Sequence, residues 1–150
     1  MAKNDLDHGS GIADMERALE IAEAANSSVA ATTVNNLAVY ATFDGDFPRT
    51  DELYVEATRL AERYGDASSL RFIRGNRLWL DYMLGQWDQA LEAADAFIAD
   101  CEGGSPHTLE PFVREVRAAL SIARGDPDHA RRDQSLALEQ EFVILTESEK

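Results

Sequence analysis

Apolar residues recur at every third or fourth position in several stretches of the chain, and short polar or glycine-containing breaks separate these stretches. In the first stretch, Ile12, Met15, Leu19 and Ala22 fall on one side of an α-helix. The same periodicity predicts about seven helices, at residues 12–25, 28–43, 48–64, 67–84, 87–101, 109–124 and 127–140. No stretch shows the alternation of apolar and polar residues that a half-buried β-strand has. Phe142 to Leu145 is the one run that is ambiguous between helix and strand. The pattern therefore predicts an all-α protein.

The predicted helices repeat. Gly45, Gly85 and Gly125 are evenly spaced, and each falls between two predicted helices. Other positions keep the same offset: Phe43, Met83 and Ala123; Leu80 and Leu120; Ala90 and Ala130. Small residues at fixed offsets let two helices approach closely, and glycine supplies the turn between them. A fixed period of this length is typical of stacked repeats, and it predicts helix pairs at about 28–65, 67–102 and 108–140.

The opening helix, 12–25, lies outside these pairs. Its string "EIAEAAN" matches "RLAERYG" of the third helix, at an offset one position shorter than the spacing of the glycines. It is therefore interpreted as an orphan helix, the second member of a pair whose first helix is missing. The predicted organisation is a flexible leader at 1–11, a helical repeat domain at 12–145 and a polar tail at 146–150. Whether Phe142 to Leu145 caps the repeats is left open.

Charge and cysteine content limit the partners and the compartment. The chain has 28 acidic and 14 basic side chains, and its net charge is −14. Such a surface repels the phosphates of nucleic acids and of anionic membranes, so neither is expected as a partner. The charge either keeps a soluble domain apart from its neighbours or attracts a basic peptide. A single cysteine, Cys101, cannot form an intrachain disulfide, and no signal peptide or membrane-spanning stretch is evident, which predicts a cytoplasmic protein.

No catalytic pattern stands out. His8, His107 and His129 are far apart and lack the spacing of metal ligands. The string "GSGIAD" lacks the preceding strand that a dinucleotide-binding loop requires, and there is no Walker lysine motif. We therefore expect no enzymatic activity, no cofactor and no metal site.

The repeat strings resemble the tetratricopeptide repeat (TPR) family, in a long-period version whose repeats are about 40 residues long. The resemblance covers about 12–140 and is carried by "NNLAVYATFDGDF" with "EATRLAERYGD", by "LDYMLGQWDQALEAADAFIA" and, more weakly, by "RAALSIARGDPDHARRDQSLAL". It implies a right-handed α-α superhelix, a TPR-like solenoid of antiparallel helix pairs. Arrays of this kind are typical of large bacterial multidomain regulators. Thr50, in place of alanine, and Arg77 and Arg117, in place of the Leu37 of the first repeat, depart from the pattern.

In this family the first helix of each pair lines a concave groove that binds peptides or protein segments. The resemblance thus implies a groove formed by Asn35, Val39, Phe72, Trp79, Tyr82, Phe112 and Glu115. The assignments of Asn35 and of the aromatic residues Phe72, Trp79 and Tyr82 have alternatives. Asn35 or its neighbour Asn36 instead makes a hydrogen bond between helices, or the aromatic residues instead belong to the core. The arginines at 71, 74, 77, 114 and 117 form either a carboxylate-binding stripe or ion pairs with neighbouring helices.

Three functions follow from this sequence. The first is a non-catalytic module that binds a peptide or protein segment in its concave groove. The second is a regulatory or scaffolding segment of a larger bacterial signalling or transcription-regulating protein, acting within that protein. The third is self-association through the apolar ends of the solenoid.

Overall fold

The computed structural model describes residues 2–147, and their side chains from Gly11 to Gln140. Seven α-helices make up this part of the chain, which contains no β-strand. They are α1 (Ala2–Ala24), α2 (Val29–Phe43), α3 (Phe47–Tyr64), α4 (Ala67–Met83), α5 (Trp87–Glu102), α6 (Glu110–Ala123) and α7 (Pro127–Glu147). The all-α class expected from the sequence is therefore confirmed. The chain divides into two compact units, Met1–Ile73 and Arg74–Lys150, and the division falls within α4.

Six of the helices end in the same backbone motif. After α2, the N–H of Gly45 donates to the carbonyl of Thr42 at 3.1 Å, and the N–H of Asp46 donates to that of Ala41 at 3.0 Å. This pair of bonds is the Schellman motif, and it needs a residue with positive φ, which Gly45 provides at 76°. The same motif recurs at the ends of α1 to α6, where the positive-φ residues are Asn26, Gly45, Gly65, Gly85, Gly104 and Gly125. The glycines at 45, 85 and 125 are those predicted as turns within helix pairs. They alternate along the chain with a second set of positive-φ residues between pairs, namely Asn26, Gly65 and Gly104.

Aspartates begin three of the helices. The carboxylate of Asp46 accepts the N–H of Arg49 at 3.2 Å, and that of Asp126 accepts the N–H of His129 at 3.0 Å. Asp66 accepts the N–H of Ser69 in the same way, at 2.9 Å. These bonds satisfy backbone donors that lack a partner in the first turn of a helix.

The two outer helices are longer than the apolar pattern predicts. α1 begins at Ala2, so residues 2–11, expected to form a flexible leader, are helical. α7 continues to Glu147, which makes the ambiguous run Phe142 to Leu145 helical as well. Both differences fall where the sequence lacks an apolar periodicity of three or four residues, the signal on which the helix prediction rests. The side chains of Phe142 to Leu145, and residues 148–150 of the expected tail, lie outside the described residues.

Burial follows the repeat register. Thr50, Ala90 and Ala130 occupy one repeat position, and all three are at most 2% exposed. The hydroxyl of Thr50 donates to the carbonyl of Asp46 at 2.9 Å, so the threonine is accommodated where alanine is expected. Consecutive helices pack against each other within each unit: α1 on α2 and α2 on α3, then α5 on α6 and α6 on α7. This packing is consistent with a helical repeat.

The second unit has a continuous apolar core to which α4, α5 and α6 contribute. Its buried members are Leu78, Ala90, Ala94, Phe97, Ile98, Cys101, Val113, Val116 and Leu120. Tyr82 and Phe112 are partly buried at its margin. Gly75 is buried as well, and a Cβ atom there would lie 2.9 Å from Cδ1 of Leu109. Glycine thus lets the segment before α6 approach the backbone of α4.

Candidate functional site

In the first unit, the three predicted groove residues have different environments. Asn35 is only 5% exposed, and its Nδ2 donates to Oδ1 of Asn36 at 3.4 Å. Val39 is half-buried, whereas Phe72 is exposed. This bond lies within α2 and not between helices, and the burial of Asn35 disfavours its contact with a peptide.

In the second unit, three aromatic rings stack at the end of α4 and the start of α5. The ring centroids of Trp79 and Tyr82 are 5.4 Å apart, and their planes differ by 28°. Those of Tyr82 and Trp87 are 6.4 Å apart, at 17°. These values are in the range of offset stacking. We call these three residues, together with Met83 and Leu84, the aromatic surface.

The turn between α4 and α5 builds this arrangement. Trp79 and Tyr82 are separated by three positions, so they lie on the same side of α4. The Schellman turn at Gly85 then reverses the chain, and Trp87 is the first residue of α5. The indole Nε1–H of Trp87 donates to the backbone carbonyl of Tyr82 at 3.1 Å, which holds the second indole against the tyrosine.

Large apolar side chains remain open to solvent here. Trp79 is 37% exposed, Trp87 39%, Leu84 44% and Met83 45%. Grouped exposed side chains of this size are typical of interaction sites, whereas single ones are ordinary. The exposure of Trp79 favours the surface interpretation of this residue over a place in the core.

Sequence reasoning missed Trp87. In the repeat register it corresponds to Phe47 and Pro127, the first residues of the second helices, and it is therefore outside the predicted groove row. The signal that could have identified Trp87 is its position directly after the turn at the end of α4, the helix that carries Trp79 and Tyr82. A turn brings the residues on its two sides together, whatever their register.

The two remaining predicted residues are on α6, in the same unit. Phe112 packs at the margin of the apolar core that Tyr82 also contacts. Glu115 is exposed, and it has no hydrogen bond or ion pair with any described residue. Its carboxylate is therefore available to a partner.

The arginines of α6 form ion pairs. The guanidinium of Arg117 makes two hydrogen bonds to the carboxylate of Asp133 on α7, at 2.6 and 2.7 Å. Arg114, whose side chain is 3% exposed, bonds Glu110 at 2.7 Å and Glu102 at 2.9 Å. These contacts join α5, α6 and α7. For Arg114 and Arg117, the ion-pair alternative is the one observed.

Hydrogen bonds favour the ionised forms of the titratable groups in this network. Burial alone would raise the pKa of Glu110, but hydrogen bonds from Gln140 and Arg114 outweigh it and hold the pKa below its ordinary value. Burial likewise opposes the charge of Arg114, whose pKa is nevertheless raised because Glu102 and Glu110 accept its hydrogen bonds. The network is thus built from charged groups that stabilise one another.

A cleft of about 610 Å³ lies beside the segment that precedes α6. It is lined by Pro106, His107, Thr108, Glu110, Pro111, Glu139 and Gln140. The carboxylate of Glu110 is already bonded to Arg114 and Gln140. No residue of the predicted groove lines this cleft.

Metal-binding clusters and membrane-spanning helices are both absent from the described residues. No group of three or more histidine, cysteine, aspartate or glutamate side chains in this part of the chain is placed to hold a metal ion. None of the described helices is both long and apolar enough to cross a membrane.

Comparison with known proteins leaves the chain without an assigned family. No model of a known protein family matches it, and none of the curated proteins matches it either. The TPR resemblance therefore stays a prediction from the sequence. The function has to be argued from the geometry of the site itself.

Proposed function

We propose that this protein is a non-catalytic binding module of the TPR type, and that it holds a peptide or protein segment at the aromatic surface of its second unit. The observation that supports this proposal most is the stack of Trp79, Tyr82 and Trp87, in which both indole rings are exposed and Tyr82 is partly buried. The proposed site keeps Trp79 and Tyr82 from the predicted groove and adds Trp87, Met83 and Leu84.

The composition of the surface suits protein recognition. Tryptophan and tyrosine are enriched among the residues that contribute most to binding energy, because a rigid ring buries a large area at little entropic cost. The carbonyl of Tyr82 already fixes the indole of Trp87. The side chain of Trp87 therefore loses less conformational entropy when a partner binds.

The indole N–H of Trp79 is a further polar group of this surface. It has no hydrogen bond with any described residue. It can donate to a peptide carbonyl while the ring covers apolar side chains, and this combination favours an extended or helical peptide over a purely apolar ligand.

A selection from a random peptide library tests the proposal. The library is selected on the intact protein and, in parallel, on the variants Trp79→Ala and Trp87→Ala. A matched control is Val55→Ala, since Val55 is a 60% exposed apolar residue of the first unit. Circular dichroism establishes that each variant remains folded.

We expect peptides to be enriched on the intact protein and on Val55→Ala, and to bind each tryptophan variant about tenfold or more weakly. Equal enrichment on all four proteins would place the binding site elsewhere. A lack of enrichment on the intact protein would contradict the binding function itself.

A role inside a larger protein remains a prediction. It would use the same surface, with a segment of the same polypeptide as the partner. The peptide selection detects binding at the aromatic surface whether the natural partner is a separate protein or a segment of the same polypeptide.

A further inference from the structure

Resting on the proposed function, we propose that the partner segment is basic, and that an arginine or lysine of this segment lies against the indole ring of Trp79 or of Trp87. The two observations that carry this inference are the pairing of the arginines in the second unit and the chemistry of the exposed rings.

Most positive charges of the second unit are already neutralised. Acidic side chains pair with the arginines at 77, 114, 117, 124 and 131. Arg74 and Arg132 are exposed without such a pair, and so are the carboxylates of Glu92, Asp100 and Glu115, in a unit where acidic side chains outnumber basic ones. The charge that this unit presents to a partner is therefore negative.

One ion pair lies directly beside the aromatic surface. Arg124, at the end of α6, contacts Asp88, the residue that follows Trp87. The side chain of Asp88 is 97% exposed, so this pair is open to solvent and worth little by itself. A cation of the partner can approach Asp88 without leaving a buried charge unpaired.

The exposed rings suit a cation as well. The face of an aromatic ring is negative, and tryptophan attracts cations more strongly than tyrosine or phenylalanine does. The planar guanidinium of arginine also stacks on such rings. A basic segment thus combines attraction to the rings with attraction to the carboxylates, whereas an acidic segment is repelled by both.

A second copy of this chain is the other occupant to consider. Each copy carries a net charge of −14, so two copies repel each other at low salt. Light scattering of the intact protein at low and high salt is therefore included in the test.

The experiment uses the peptides selected on the intact protein. Their arginine and lysine content is compared with that of the unselected library. The strongest binder is then synthesised with each basic residue replaced by glutamine. Binding is followed by tryptophan fluorescence, because the only two tryptophans of the chain are Trp79 and Trp87.

We expect an excess of arginine and lysine in the selected peptides and about a tenfold loss of affinity in at least one glutamine version. The loss should vanish on Trp79→Ala or Trp87→Ala, since those variants lack the ring. Binding should weaken as salt rises, because the Debye length shortens from about 10 Å at 0.1 M to about 3 Å at 1 M.

The outcomes separate the two proposals. One outcome is that peptides are selected, that their binding is lost on the tryptophan variants, and that they are neutral or acidic. This outcome contradicts the basic partner but supports the binding surface. The same conclusion follows if the glutamine versions bind undiminished. A dimer at low salt that covers the tryptophans would replace the basic peptide by a second copy. If no peptide is selected, both proposals fail together.

Discussion

At the residue scale, the clearest lesson concerns polar side chains that sequence alone could interpret in two ways. Arg114 and Arg117 were candidates for a carboxylate-binding stripe, but Glu110 and Asp133 of the same unit occupy them. Asn35 was a candidate for peptide binding and is buried. For the two arginines, the sequence predicts the chemistry of the group, which is the binding of carboxylates. It cannot tell whether the partner is internal, because that depends on long-range packing.

The ion pair of Arg117 and Asp133 gives a prediction about stability. Asp133→Ala leaves Arg117 with Asp95 alone, and the side chain of Arg117 is only 12% exposed. We expect a loss of about 3–5 kcal/mol in the free energy of unfolding, measured by urea titration. The control is Arg59→Ala, which breaks a solvent-exposed pair with Glu56 and should change stability far less. Equal losses in the two variants would contradict the role given to the buried network.

Glu110 gives a prediction about pH. Its pKa in the folded protein is below its ordinary value of 4.5, because Gln140 and Arg114 stabilise the carboxylate against the opposing effect of burial. The unfolded chain therefore binds a proton first as the pH falls. This stabilisation is fully present above 4.5 and is lost as the pH falls through the lower pKa of the folded protein. Thermal unfolding of Glu110→Gln should show a deficit near neutral pH that narrows in acid. A deficit that stays constant across this range would contradict the assignment.

At the element scale, one turn motif organises the chain. Asn26 holds a φ of 50° in the same motif that glycine occupies at the ends of α2 to α6. The sequence shows the glycines at 45, 85 and 125 as an obvious period. The second set is harder to find, because asparagine replaces glycine once and the spacing is one position shorter.

This motif predicts an ordering of substitutions at Gly85, whose φ is 74°. Gly85→Ala should lower the free energy of unfolding by about 1–2 kcal/mol, because a Cβ atom disfavours the left-handed conformation. Gly85→Asn should lower it less, since asparagine tolerates this conformation and Asn26 shows that the motif accepts it. Urea unfolding of the two variants measures the difference. An alanine variant as stable as the asparagine variant would contradict the account.

Residues that share a repeat position have similar burial, but the register alone does not predict whether that position is buried or exposed. Ala90 and Ala130 share a repeat position, and both are buried. Phe43 and Met83 share another, and both are exposed, at 81% and 45%. A period in the sequence shows that two residues occupy equivalent places in a turn. Whether such a place is covered depends on neighbouring elements, and for this reason the exposed part of the aromatic surface could not be predicted.

At the scale of the whole molecule, acidic charge dominates. The chain has twice as many acidic as basic side chains. This excess could be read from composition, and so could the expectation that anionic partners are disfavoured. The location of this excess on the surface could not be read from composition, because it depends on which carboxylates the arginines neutralise.

The charge predicts how salt affects stability. Repulsion within a chain of net charge −14 disfavours the folded state, and salt screens it. The midpoint of thermal unfolding should therefore rise as salt is raised from 0.01 to 0.1 M, where the Debye length falls from about 30 to about 10 Å. A variant with amides in place of Glu92, Asp100 and Glu115 should respond less. A midpoint that falls with salt would show that exposed ion pairs outweigh the repulsion.

The most direct test of the central claim follows the two indole N–H signals by NMR while a selected peptide is added. Both tryptophans belong to the aromatic surface, so both signals should shift. The signal of Trp79 should shift more, because the indole of Trp87 already donates to Tyr82. If the peptide binds and shifts backbone signals elsewhere while both indole signals stay in place, the aromatic surface is not the binding site.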